Sequence, residues 1–419
     1  MGKNGRFGKD YGRVVGKDND SRPGWKGPAF VKKAEPSKSK AKSSKTSEGK
    51  DSSKDLPSEP EILIPLELQQ LLLNIFRDSF STVLTSDTLL PLLQDVKAAL
   101  FDRDFTRAFG NSEYLEAYAA RWSPSRALCY QTILVDVQKH ISEIIRGRSD
   151  IEPSGDHQQS VNGDVPRSQL DAVSFGGSAA EVIAFGGFLR YLQNGSTPPK
   201  ADGITNGDLK DQSSPDNSLN VNLLLLDCAG WEDVVRKLHN GLVTPPPLSK
   251  YASASAKAAN SSLITDEHIT SNFRLDDMLS LTRDQLDGLV GARPMLLTLL
   301  FTLNELYTAS ISKTTAFLLN LTMTTKPGSL LLVVDSPGSY SETRIGTEEK
   351  KYPMKWLLDH VLLESQRIME PRDGKRQEAP PDWVKVVSED SKWFRMPEGF
   401  RYPIPLENMR YQIHLYRRV

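Results

Sequence analysis

The chain has 419 residues, 38% hydrophobic and 25% charged, enough apolar material to bury a core in one large or two modest domains and too much for a mini-protein. Its 52 basic and 53 acidic residues nearly cancel, yet residues 1–60 hold 15 Lys or Arg against 8 Asp or Glu, so a head of +7 precedes a body of −8. Two distant cysteines, Cys129 and Cys228, exclude a disulfide framework and a paired-cysteine zinc site and fit a reducing compartment, while no apolar run approaches the ~20 residues of a bilayer span.

Residues 1–58 are poor in apolar side chains and include a lysine-serine tract from Lys38 to Lys54, so they bury too little surface to offset the entropy of ordering. A disordered basic tail is expected. Its glycines alternate with Lys3, Arg6, Lys9, Arg13 and Lys17, with Phe7 and Tyr11 interleaved, a composition that suits loose phosphate binding and occasional base stacking. A solvated tail without a dedicated partner remains the alternative.

From Ile62 to Gly147 the apolar spacing becomes helical: Leu66, Leu68, Leu72 and Ile75, then Leu89, Leu92, Leu93, Val96 and Leu100, then Leu128 through Ile144. Ser86 and Ser123 read as N-caps, Pro124 sits just inside a helix start, and Gly147 reads as lying just past a helix end. After the polar stretch 148–168, short apolar runs alternate with helical segments, the pattern of an α/β fold with a mostly parallel sheet. Strands are predicted at Leu170 to Phe175, Val221 to Asp227, His268 to Phe273, Met295 to Leu303 and Ser329 to Asp335, with two more around Trp383 to Val387 and Met409 to Tyr416. Insertions at 194–219 and 241–262 are predicted as surface loops. The last two strands read as a closing antiparallel hairpin, whose Arg395, Arg401, Arg410, Arg417 and Arg418 give RNA contact as the other reading.

Candidate functional residues gather at the predicted strand ends. Phe175, Gly176, Gly177 and Ser178 form a tight turn into a helix that begins near Glu181, where small residues let a nucleotide-like ligand approach unpaired N–H groups. Asp227 closes the second strand; it lies 51 residues beyond Gly176, and removing the 26-residue insertion restores the ~20-residue interval at which a carboxylate binds ribose hydroxyls. Asp276 and Asp277 follow the third strand, where either could accept a hydrogen bond from an adenine amino group. Phe301, Asn304, Glu305 and Tyr307 follow the fourth, where substrate would enter, although Asn304 and Glu305 also suit plain helix caps. The six histidines show no ligand spacing, so no metal site is expected.

With Arg121-Trp122-Ser123-Pro124-Ser125-Arg126-Ala127-Leu128-Cys129-Tyr130, the turn with Glu181, Asp227, Asn304-Glu305-Leu306-Tyr307, Asp390 to Arg395 and Tyr402 to Gln412, the chain resembles a class I S-adenosylmethionine-dependent methyltransferase. More narrowly it resembles the fungal family of large-subunit (25S) ribosomal RNA uridine-N3 methyltransferases, over roughly Tyr114 to Val419. The resemblance implies a Rossmann-like sheet with an antiparallel C-terminal strand and a helical N-terminal extension. It implies S-adenosylmethionine as cofactor, ribosomal RNA or a pre-ribosomal particle as partner, and the nucleus or nucleolus, with the cytoplasm as a further compartment. It also suggests Glu305 as the base that removes the N3 proton, Asn304 as the residue orienting the uracil edge, and Tyr307 or Phe301 as a stacking wall. The three-glycine loop of the family is reduced to one glycine in either register, with Phe175, Gly177 and Ala179 or with Gly176, Ser178 and Ala180 at its positions. Two other readings stay open at this point: a non-catalytic RNA-binding or ribosome-assembly factor on the same fold, and a methyltransferase acting on protein or a small molecule.

Overall fold

The computed structural model describes residues 64–149, 168–195, 219–338, 340–345, 348–364 and 381–419. The basic tail and most of the first insertion lie outside them. Residues 60–419 form one compact unit. Seven helices come first: α1 (Leu66–Ser79), α2 (Ser81–Leu84), α3 (Leu89–Phe101), α4 (Phe105–Phe109), α5 (Ser112–Arg121), α6 (Ser123–Asp136) and α7 (Gln138–Ser149). Alternation follows, as β1 (Gln169–Phe175), α8 (Ala179–Gly195), β2 (Asn220–Asp227), α9 (Glu232–Val243), α10 (Ala254–Ala258), β3 (Ile269–Leu275), α11 (Arg283–Val290) and β4 (Leu296–Leu300). The chain ends with α12 (Leu303–Ala309), α13 (Ile311–Thr324), β5 (Leu330–Asp335), the hairpin β6 (Tyr340–Ile345) and β7 (Glu348–Pro353), α14 (Met354–Asp359), β8 (Trp383–Phe394) and β9 (Met409–Arg418).

The main sheet has seven strands in the order β3-β2-β1-β4-β5-β9-β8. β1 to β5 are parallel, and β9 runs antiparallel to both β5 and β8. Central strands β4 and β5 are buried at every position, as strands covered on both faces must be, which is why apart from Thr298 and Asp335 they consist of Leu and Val. Edge strand β8 exposes Glu389, Asp390 and Lys392 in one stretch and carries two register shifts against β9, devices that discourage further pairing. The order, with the ligand-binding edge at the carboxyl ends of the parallel strands, is the class I methyltransferase arrangement expected from the sequence.

Helices α1 and α5 to α9 share a single apolar cluster with one sheet face, whereas α11 to α14 cover the other. The helical lead-in is therefore a layer of the same unit. Two adjacent glycines in the middle of α8 make this close docking feasible: a Cβ on Gly186 would meet Leu242 of α9 at 2.6 Å, and one on Gly187 would meet Leu72 of α1 at 2.6 Å. Each costs roughly 1 kcal/mol of helix propensity relative to alanine, offset by the contact it permits.

Several local expectations are corrected. Gly147 lies inside α7, because Gln138–Ser149 continues as helix. Ser123 is the first residue of α6, and α3 starts after Thr88, with Ser86 Oγ accepting from the Thr88 N–H at 3.2 Å. β4 stops at Leu300 because Phe301 takes φ 58°, which ends the extended chain three residues before the predicted limit. The second insertion contains the short exposed helix α10, begun by Ser253 Oγ accepting from the Ala256 N–H. β8 runs seven residues further than predicted, and the β6–β7 hairpin had no alternating apolar signal to reveal it.

Gly176 is held at φ 74°, and a Cβ there would lie 2.5 Å from the Thr302 side chain. Gly176→Ala is expected to destabilise the protein by about 2 kcal/mol or more. Gly230→Ala, with nothing within 4 Å of the added atom, should stay within about 0.5 kcal/mol. Denaturant unfolding of the two variants beside wild type checks both values.

Candidate active site

The carboxyl ends of β1, β2, β4 and β5 meet the N-terminal helices at one edge of the sheet. At the end of β1 the Gly176 N–H donates to the Leu226 carbonyl at 2.7 Å, tying the turn to β2. The Ser178 N–H then donates to Glu181 Oε2 at 2.9 Å, so the Glu181 carboxylate caps the start of α8. Phe175 is fully buried against Phe317. Ala179 and Ala180 are buried among the helices. Their side chains thus point into the core, while Gly176 and Ser178 keep part of their surface open at the turn.

Above this turn lies a cluster from α5 and α6. Arg126 and Tyr130 are four residues apart on α6 and hence share a face. Arg126 stands over the rings of Phe301 and Tyr118, at 5.4 and 5.5 Å, and donates to the Tyr118 hydroxyl. Tyr130 stacks on Phe301 at 6.2 Å. Phe301 itself occupies the left-handed region, a strain of about 1–2 kcal/mol for a bulky residue that its stacking and the bond from its N–H to the Val334 carbonyl at 2.7 Å hold in place. Among the described residues, no carboxylate lies within ion-pair distance of Arg126.

Three carboxyl groups line the same edge. Burial pushes Glu181 up to about 7, against the opposing pull of the Ser178 N–H, its own N–H and Arg126. Burial likewise raises Asp227 to about 6, although the Ala229 N–H donates to its Oδ1 at 2.7 Å. Asp335, at the end of β5, is raised to about 6 by burial while accepting from the Asn304 and Ser336 N–H groups at 2.9 and 2.7 Å. Such groups keep their protons to a higher pH than exposed carboxyls, and a nearby cation favours their charged form.

The Asp335 bond fixes the first turn of α12, and with it three orphaned atoms. Asn304 Oδ1, Glu305 Oε2 and Tyr307 Oη are buried with no hydrogen-bond partner among the described residues, three such atoms within one turn of helix, where a ligand or a water would satisfy them. Burial also raises the Tyr307 phenol above its ordinary range. Other expected site residues are already engaged locally. Asp276 pairs with Arg274 at 2.7 Å. Asp277 is exposed and uses both oxygens to cap the turn after β3, accepting from the Leu279 N–H and the Ser280 hydroxyl. Among the described residues, no group of three His, Cys, Asp or Glu is placed to hold a metal ion, and no helix is long and apolar enough to cross a membrane.

Residues 76–417 match the family described as SAM-dependent methyltransferases. The chain belongs to that family. It is 31% identical over 325 residues, 77% of this chain and 76% of the relative, to a 25S rRNA (uridine(2843)-N(3))-methyltransferase of Saccharomyces cerevisiae. It is also similar to a SAM-dependent methyltransferase of Methanosarcina mazei, at 9% identity and a TM-score of 0.29 over 59% of this chain and 92% of that one. A second such enzyme, from Clostridium acetobutylicum, gives 9% identity and a TM-score of 0.24 over 59% and 83%.

The cofactor of this methyltransferase is S-adenosylmethionine, and the residues present fit it. Buried carboxyls at Glu181 and Asp227 and an Arg126 without an ion-pair partner suit a ligand that carries positive groups, a carboxylate and ribose hydroxyls. Arg126, Tyr118, Tyr130 and Asp335 were not singled out from the sequence. For Asp335 a signal existed, since Leu330 to Asp335 ends an apolar strand on a carboxylate as Leu223 to Asp227 does. Arg126 and Tyr130 lay within the string that carried the resemblance, and their four-residue spacing on one helix face was the sign that they act together.

Proposed function

We propose that the protein transfers a methyl group from S-adenosylmethionine to N3 of a uridine in large-subunit ribosomal RNA. The 31% identity to an enzyme named for that reaction carries the reading. The buried, unpartnered atoms Asn304 Oδ1, Glu305 Oε2 and Tyr307 Oη, on α12 just beyond β4, support it. The Lys-rich head and the substrate class favour action on pre-ribosomal particles in the nucleus or nucleolus.

Bound cofactor supplies an electrophilic methyl group on a sulfonium that leaves as a neutral thioether, so no acid is needed at the leaving group. The protein's tasks are alignment and proton removal. Ser178 and Glu181 would hold the turn beside the cofactor's amino-acid end, Arg126 would take its carboxylate, and Asp227 would accept from its ribose hydroxyls. Tyr130 and Arg126 brace Phe301, which forms one wall of the reaction space. Asp335 anchors the first turn of α12 through the Asn304 N–H. That leaves Asn304 to orient the uracil edge and Glu305 Oε2 to accept the N3 proton as the N3–carbon bond forms. Because N3 lies on the pairing edge of the base, the target uridine must be unpaired or flipped out.

The raised carboxyls give this site a definite pH response. Folded protein holds protons on Glu181, Asp227 and Asp335 above the pH at which an unfolded chain loses them. Stability of the ligand-free protein therefore falls as pH rises between roughly 4 and 7, while affinity for a cationic ligand rises. With Asp227 near 6, its ionisation alone should make S-adenosylmethionine bind about four-fold tighter at pH 7.5 than at pH 5.5 in titration calorimetry, and Asp227→Asn should remove that part of the dependence. Incubating the protein with methyl-labelled S-adenosylmethionine and unmodified large-subunit RNA, then digesting to nucleosides, tests the reaction. Label in 3-methyluridine supports it, whereas label confined to protein or to another nucleoside overturns it.

A further inference from the structure

β8 and β9 carry a second chemical feature at the ligand-binding edge. Asp335 of β5 pairs with Gln412 of β9, while Arg410 pairs with Trp393 of β8. Arg410 and Trp393 therefore stand two residues beyond the end of β5, roughly 7 Å past it, on the side where the parallel strands end. Alternation along β9 sends Tyr411 into the cluster under α6, so Arg410 and Trp393 lie on the opposite face. That is the face covered by α12, whose Leu303 and Tyr307 belong to its apolar cluster. Three strand spacings separate β4 from β8, a lateral offset of about 14 Å.

Trp393 keeps 51% of its surface exposed on this edge. The Arg395 guanidinium lies 4.4 Å from its ring centre and that of Arg410 5.8 Å. Both arginines are exposed. Arg410 is steadied by its Nε donating to Ser391 Oγ at 2.8 Å. Neighbouring charges are already matched, Lys392 with Asp136 at 2.7 Å and Asp390 with Lys355 at 2.5 Å. The exposed Glu389 and Glu398 pair with neither arginine. What remains is a flat indole layered with two uncompensated cations. A solvent-facing tryptophan of this size contributes little to the core, and the pattern matches how proteins hold unpaired nucleotides, by stacking the base and attracting the phosphate.

We propose that Trp393, Arg395 and Arg410 form a stacking platform for an unpaired base of the RNA that flanks the target uridine. The inference rests on the RNA-methylating reading above and extends it to a specific surface. A uridine withdrawn from its helix leaves neighbours without a stacking partner, and the platform supplies one at the distance of a few nucleotides from α12.

The test uses the full chain and a fluorescein-labelled single-stranded oligouridylate, with binding followed by anisotropy over a series of salt concentrations. Trp393→Ala is expected to weaken binding about ten-fold at an unchanged salt slope, and Trp393→Phe by less than about three-fold. The double variant Arg395→Gln with Arg410→Gln should lower the salt slope by about one to two. Calorimetry with S-adenosylmethionine, unchanged in all of them, shows that the fold is intact. Wild-type protein that binds no RNA would overturn the platform together with the RNA reading. Equal RNA binding by wild type and by the Trp393→Ala and double-arginine variants would overturn the platform alone.

Discussion

Glu305→Gln is expected to lower methyl transfer by about a hundred- to ten-thousand-fold, the range typical of a lost general base, while cofactor affinity stays within about two-fold of wild type. Glu305 Oε2 is buried and unpartnered, and Asp335, the nearest other candidate, has an oxygen committed to each of two backbone N–H groups. A neutral amide keeps the shape of the side chain but cannot take the N3 proton. The outcome is read by single-turnover transfer into RNA alongside calorimetric titration of S-adenosylmethionine. A rate within three-fold of wild type would remove Glu305 from the role and leave the site to act by alignment alone.

The second large effect is expected at Arg126. Arg126→Ala should weaken S-adenosylhomocysteine binding by about 10- to 100-fold, the worth of one or two charge-assisted hydrogen bonds. Methylthioadenosine, which lacks the amino-acid carboxylate, should bind within about three-fold of its wild-type affinity. The paired ligands separate a lost contact from a damaged pocket, because disturbance of the Tyr118–Arg126–Phe301 stack would weaken both alike. Arg126→Lys keeps the charge but not the planar fork and should fall between the two. Equal losses for both ligands would make Arg126 a support for Phe301 and nothing more.

The reduced glycine loop illustrates how placement decides what a substitution means. Read along the chain, Phe175, Ala179 and Ala180 stand where side chains would obstruct a nucleotide. In the folded protein all three point into apolar clusters, and the open positions are Gly176 and Ser178. Gly176 is needed for its left-handed turn against Thr302, a requirement of the fold that holds with or without a ligand. Likewise Asp277 carries the residue type expected beside adenine, yet it serves a local turn.

Periodicity alone placed the seven strands of the main sheet and most helices, though not the β6–β7 hairpin, because a strand buried on both faces must be continuously apolar and an amphipathic helix must repeat its apolar face every three to four residues. It also located Glu181, Asp227 and the Asn304 to Tyr307 segment, since in a parallel sheet the ends of successive strands are brought to one edge whatever lies between them. Distances between elements far apart in sequence have no such local signal. Only the tertiary structure decided that α6, more than forty residues before β1 at Arg126, lays Arg126 and Tyr130 over Phe301. It alone showed that Asp335 anchors α12 and that β8 brings Trp393 to the same edge. Those contacts depend on how helices dock across the sheet and on strand register, and both are settled by packing over the whole unit.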